Sequence, residues 1–192
     1  MSKLPRSHEL LSCEESRLLV IDMQQKLVPI VQQASEITSN CLKLIEAAKL
    51  LNIPIAATEQ YPKGLGPTID QLAEHLPAPI EKIDFSCANS LNWGLAQDDP
   101  QSRFKIVIAG IETHVCVLQT VFDLMAVGYR VYVAVDAISS RKQLDQEIAL
   151  RRMAAGGATL TTTESVIFEW SERAGTPEFK QLSRLVTGRP AV

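Results

Sequence analysis

The pattern that most restricts the fold of this chain is a repeated one: a short, almost uninterrupted apolar run followed by a stretch with helical spacing. Residues 17–22 (RLLVID), 54–58 (PIAAT), 104–110 (FKIVIAG) and 130–136 (RVYVAVD) are runs of this kind. A strand that is apolar at nearly every position buries both of its faces, which calls for a parallel sheet covered by helices. The helical patterns fall between the runs, at 35–51, 114–128 and 143–157, and the last two end in glycine. Strand alternating with helix predicts a three-layer, doubly wound (Rossmann-like) α/β sheet with right-handed crossovers and helices on both faces. Residues 157–170 read as a last short strand and a helix capped by Thr163 or Ser165, and 176–186 as a C-terminal helix with Pro177 in its first turn.

Composition sets the scale. A chain of 192 residues, 46% hydrophobic and 21% charged, suits one domain spanning 1–192, with residues 1–16 as an N-terminal arm. A net charge of −3 supplies no basic footprint for nucleic acid. The opening MSKLPRSHELLSCEESR breaks its apolar residues with charges and lacks the core of a signal peptide, and no later run is long and uncharged enough for a bilayer. A cytoplasmic location is therefore expected, with no membrane partner. The four cysteines (Cys13, Cys41, Cys87, Cys116) form no CxxC pair. We read them as reduced, without a disulfide framework or a structural zinc.

Ligands of open α/β sheets bind at the carboxyl ends of the strands. There the first run ends at Asp22, a short strand around Ile80 and Glu81 leads to Lys82, and the run closing at Gly110 leads to Cys116 in the first turn of a helix with Thr113 as its expected cap. A helix start favours thiolate and offers N–H groups to an oxyanion. Asp22 could take the thiol proton and deliver it to a leaving group, while Lys82 would hold Asp22 and stabilise the thiolate. His114 is two residues from Cys116, too close along the helix to face it, and is assigned to structure or the pocket wall. Cys41 reads as core, Cys13 belongs to the arm, and Cys87 lines the pocket without chemistry. The loops 59–68 and 77–90 read as site walls, with Glu59, Gln60, Phe85, Trp93 and Glu112 as candidate pocket residues, of which Gln60, Phe85 and Trp93 are the substrate-contact candidates. A thiol phosphatase is excluded, since CVLQTVFD has neither a glycine-rich phosphate loop nor a following arginine.

The ordered set LLVIDMQ, TEQYPKGLGPT, EKIDFSC, AGIETHVCVLQT and VDAISSR resembles the isochorismatase-like cysteine hydrolases, over about Leu18 to Phe179, and within them the isochorismatase-domain-containing subgroup. The resemblance implies a six-stranded parallel sheet and an Asp–Lys–Cys triad, here Asp22, Lys82 and Cys116. It also implies a covalent thioester-type intermediate on an amide or related carbonyl of a small molecule, and a cis peptide between Ile111 and Glu112. The oxyanion hole would then be the N–H groups of Glu112 and Cys116. Nicotinamidases of the superfamily carry an Asp-x-His metal motif where this chain reads Thr58-Glu59-Gln60, so no metal and no cofactor is expected. A homo-oligomer suits this reading. It equally suits the alternative, a catalytically silent ligand-binding or assembly module with the same fold.

Overall fold

The computed structural model describes residues 5–188; the first four residues of the expected arm and the last four of the chain lie outside them. Six strands form one sheet: β1 (Ser16–Ile21), β2 (Ile55–Gln60), β3 (Ile80–Lys82), β4 (Lys105–Ile111), β5 (Arg130–Ser139) and β6 (Thr159–Thr161). All are parallel, in the order β3-β2-β1-β4-β5-β6. That is the doubly wound order, with its reversal between β1 and β4. Among the described residues the helices are α1 (Ala34–Leu50), α2 (Pro62–Leu65), α3 (Asp70–Ala73), α4 (Ala88–Leu91), α5 (Leu118–Ala126), α6 (Gln143–Ala155), α7 (Thr163–Ser171) and α8 (Pro177–Thr187).

Alternation along the buried strands divides the interior into two apolar layers. Leu18 and Val20 of β1 with Val107 and Ala109 of β4 face α1, α7 and α8, through Leu44, Ile167 and Leu182. Leu19 and Ile21 with Ile106 and Ile108 face α4, α5 and α6, through Leu91, Val121 and Met153. Helices therefore cover both faces, as the uninterrupted apolar runs require. The described part of the arm is packed rather than loose: Leu11 is fully buried, and its N–H donates to Glu169 Oε2 at 2.8 Å.

Two helix starts differ from expectation. The cap of α7 is Thr162, whose Oγ1 accepts from the Ser165 N–H at 3.4 Å, while Asp136 takes the Thr163 N–H at 2.8 Å. Thr163 and Ser165 thus lie inside the helix. Before α5 the chain makes a single π-type turn, Thr113–Val117, entered from Glu112 without a side-chain cap. Thr113 is buried and its hydroxyl has no partner, so it does not cap. The Glu112 carbonyl does the work instead, accepting from the N–H groups of Val115 and Val117 at 3.1 and 3.2 Å.

Gly110 is required by close approach. At φ +112° it lies so near β1 that a Cβ would meet the carbonyl oxygen of Ile21 at 2.1 Å and its nitrogen at 2.6 Å. Immediately beyond, the Ile111–Glu112 peptide is cis, as the family resemblance implies.

Candidate active site

The order of the sheet reverses between β1 and β4, and charged side chains gather at the carboxyl ends of β1 and β3. Asp22 is the first residue past β1 and turns the chain with φ +51°, a left-handed conformation that aspartate tolerates better than most side chains. Its N–H donates to the Thr58 carbonyl at 3.1 Å, which continues the sheet for one more bond. Its carboxylate points inward and is fully buried. Oδ1 accepts from the Thr58 hydroxyl at 2.7 Å, and Oδ2 accepts from Lys82 Nζ at 2.7 Å.

Lys82 ends β3, two strands away, and its ammonium is completely enclosed. Nζ also donates to Gln60 Oε1 at 2.7 Å and reaches the carbonyls of Phe85 (3.1 Å) and Asp84 (3.3 Å). A buried cation needs such a set of acceptors to stay charged. Burial acts to lower the Lys82 pKa, but the Asp22 carboxylate and the thiols of Cys87 and Cys116 outweigh it, and the net shift is upward.

Cys116, in the π-type turn, is 5% exposed. Burial raises its pKa most, the Asp22 charge adds to this, Lys82 opposes it, and donation of the thiol proton toward Asp22 raises it further. The helix start and Lys82 favour the thiolate, as the sequence suggests, while burial and Asp22 push in the opposite direction. Desolvation and the Asp22 charge outweigh Lys82, and the net shift favours the thiol over the thiolate.

The other expected pocket residues divide. Gln60 is buried and committed at both ends, its Nε2 donating to the Ile83 carbonyl at 2.6 Å while its Oε1 holds Lys82. It therefore positions the lysine rather than presenting its amide. Phe85 is half-exposed, and it is its carbonyl that faces Lys82 Nζ. Glu59 turns away to bind the Thr68 N–H and hydroxyl at 2.6 and 2.7 Å, pinning the 61–68 loop. Trp93 is carried to the other end of the sheet, with its ring 5.9 Å from that of Tyr129 and 5.1 Å from the Arg17 guanidinium. After α4 the chain must return to the amino side to begin β4, and Trp93 lies on that return. His114 faces Ser140 Oγ at 2.9 Å and not Cys116.

Three residues to which the sequence reading gave no role in the site belong to the cluster. Gln24 is fully buried and ties the end of β2 to the following loop, bonding the Gln60 N–H, the Gln60 carbonyl and the Gly66 carbonyl at 2.7–2.9 Å. Thr58 orients Asp22, and its hydroxyl lies 3.5 Å from Cys87 Sγ. Thr120 accepts from the Cys87 N–H at 2.9 Å. Cys87 itself is a second buried thiol of the site, with its pKa pushed up to about 11 by burial and then by Asp22. Among the described residues no group of three or more His, Cys, Asp or Glu side chains is placed to hold a metal ion.

A doubly wound α/β domain with a buried carboxylate, ammonium and thiol at its switch point defines an isochorismatase-like hydrolase fold. Residues 16–165 match the isochorismatase domain family, and the chain belongs to that family. Over 174 residues it is 39% identical to isochorismatase domain-containing protein 2A of Mus musculus, covering 90% of this chain and 83% of that protein. It is 38% identical over 177 residues to the secreted isochorismatase effector Isc1 of Phytophthora sojae, covering 89% and 84%. Among solved structures, the MAR1 ribonuclease from Caenorhabditis elegans superposes with a TM-score of 0.85 at 38% identity, over 95% of this chain and 94% of that one. No helix among the described residues is long and apolar enough to cross a membrane.

Proposed function

We propose that this protein is a cysteine hydrolase in which Cys116 is the nucleophile, Asp22 the general acid–base and Lys82 the cation that keeps Asp22 ionised and aimed. The observation that carries the reading is the buried Asp22 carboxylate, held by Lys82 Nζ and Thr58 at 2.7 Å each, with the buried Cys116 thiol near enough for its pKa to be raised by it. Asp22 removes the thiol proton as sulfur attacks the carbonyl carbon of a small amide or related compound. The same proton then passes to the departing amine, leaving a thioester on Cys116. Water, deprotonated by Asp22, releases the acid and restores the thiol. The N–H groups of Glu112 and Cys116 hold the oxyanion in both halves. The chemistry uses no metal or cofactor.

The partners we propose are a small-molecule substrate and further copies of this chain, which would cover Leu144 and Ile148, exposed apolar side chains one turn apart on α6. Four free thiols suit a reducing, cytoplasmic compartment. A second reading, RNA cleavage, is favoured by the ribonuclease name of the Caenorhabditis elegans relative; the net charge of −3 weighs against it. Hydrolysis of an amide and ester panel and of RNA, with and without a chelator, tests these readings. Amide or ester turnover that is lost in Cys116→Ala and kept with the chelator is the expected result. Ligand binding without turnover would instead identify a silent module.

A further inference from the structure

Cys87 is the thiol of the site that the chemistry above leaves without a task. It sits at the N-terminal boundary of α4, and its N–H donates to Thr120 Oγ1 at 2.9 Å. Thr120 lies in α5 four residues after Cys116, a spacing that puts both side chains on one face of the turn and helix. Cys87 is therefore packed against the face that carries Cys116, and the two thiols share one apolar cluster.

Protons can be counted around Thr58. Its hydroxyl has a single proton, which it gives to Asp22 Oδ1 at 2.7 Å. In the 3.5 Å contact between Thr58 Oγ1 and Cys87 Sγ the thiol is thus the donor. A buried cysteine can serve as a small hydrophobe, but packing alone needs no S–H aimed at the hydroxyl that holds Asp22. The arrangement gives Cys87 a path to the same base, since Thr58 can pass its proton to Asp22 as it accepts another. Access is unequal. Cys116 is 5% exposed and Cys87 is not exposed at all, so a reagent from solution meets Cys116 first.

We propose that Cys116 and Cys87 form a reversible oxidation site, in which a small hydroperoxide oxidises Cys116 and Cys87 then closes a disulfide with it. The inference rests on Cys116 being the nucleophile and Asp22 its base. In the first step the Cys116 sulfur attacks a peroxide oxygen while its proton passes to Asp22. The S–O bond forms, the O–O bond breaks with its electron pair on the departing oxygen, and Asp22 returns the proton to that oxygen. Water leaves, or an alcohol from an organic peroxide. In the second step the Cys87 sulfur, its proton drawn through Thr58 to Asp22, attacks the Cys116 sulfur. The S–S bond forms, the S–O bond breaks, and the departing hydroxide takes up that proton as water. The two sulfurs together lose two electrons and the peroxide gains them. A disulfide needs Cα atoms about 4.4–6.8 Å apart, within reach of a residue bonded to Thr120 and one a helical turn before it. The bond shields Cys116 from further oxidation, and a dithiol restores both thiols by exchange, as a reducing compartment requires.

The test is peptide mass mapping of the native protein after brief exposure to hydrogen peroxide, with free thiols blocked by N-ethylmaleimide as the protein is denatured and with no reductant in the digest. The expected product is a Cys87–Cys116 peptide pair, lighter by two hydrogen atoms than the separate peptides. Labelling of Cys116 by iodoacetamide should be lost with it and return on addition of dithiothreitol. Cys87→Ser keeps a donor toward Thr58 but cannot form the bond. In that variant dimedone should trap Cys116 as the sulfenic acid, and continued exposure should give a sulfinic acid that dithiothreitol does not reverse. No oxidation of Cys116, oxidation without a link to Cys87, a link to Cys13 or Cys41, or labelling that recovers equally in Cys87→Ser overturns the pair and leaves the nucleophile standing. Failure of iodoacetamide to label Cys116 in the reduced native protein overturns the nucleophile and the inference together.

Discussion

Replacing Lys82 by methionine separates what the buried pair does for stability from what it does for chemistry. Asp22 and Lys82 meet at 2.7 Å with both side chains fully enclosed, so the substitution leaves a carboxylate in the interior without its compensating cation. Removing one partner of such a pair costs about 3–5 kcal/mol, because the survivor is desolvated without compensation. For a chain of this length ~1 kcal/mol corresponds to roughly 2–4 °C, so Lys82→Met should melt about 6–20 °C below the native protein. The double variant Asp22→Asn/Lys82→Met removes both charges together. Asparagine tolerates the left-handed backbone at this position, and it can still accept from Thr58. The double variant should therefore recover most of the lost stability, since an uncharged replacement for a buried pair is often neutral or better. It should recover no hydrolysis, having lost the proton acceptor. Calorimetry and substrate turnover on the three proteins give the comparison. A Lys82→Met protein that melts with the native one would refute the claim that an uncompensated charge is left inside, and turnover by the double variant would refute the role of Asp22.

Further outcomes follow from the thiols and from Gly110. Because the Cys116 thiol is held protonated, its alkylation by iodoacetamide should climb about tenfold per pH unit from pH 7 to 9; a plateau near neutrality, read by mass mapping, would mean a resting thiolate. Burial first, then nearby carboxylates, pushes Cys41 up to about 12 and Cys87 to about 11, from 9.0. The unfolded chain therefore releases protons above pH 9 that the folded one retains, and the stability present below pH 9 is lost as the pH rises toward 11. At ~1.4 kcal/mol per group and pH unit the two thiols together give a loss of about 3–6 kcal/mol, and a melting temperature constant from pH 8.5 to 11 would contradict it. Gly110→Ala drives a Cβ into the Ile21 backbone and should cost ~2–6 kcal/mol in thermal unfolding; a native-like melting curve would show that β1 and β4 can separate there.

The sheet was legible because its signal is redundant. Each buried strand is a separate apolar run, and the runs at 17–22, 54–58, 104–110 and 130–136 overlap β1, β2, β4 and β5 with ends displaced by no more than three residues. Helix starts were less legible, since capping is settled by single atoms. Thr113 has the side chain of a cap, yet the turn that places Cys116 draws the Glu112 carbonyl into that role and leaves the Thr113 hydroxyl unpaired.

Within the site, legibility followed the direction in which a residue's polar end is used. Asp22, Lys82 and Cys116 could be placed together because each follows a strand end, and the parallel order brings those ends to one rim. Gln60 follows a strand end equally well, but sequence does not reveal that Lys82, with three protons to place in a dry interior, claims its carbonyl oxygen. Thr58 and Gln24 were silent for a related reason: a hydroxyl or an amide near a charged group declares itself only through the partner it binds. Trp93 shows the opposite case, a side chain of the right type in a wall segment, removed from the rim by the return that a parallel strand demands. A carboxyl-end position therefore nominates a residue for the site, and the competition for buried hydrogen-bond partners decides whether it faces the substrate or holds a neighbour in place.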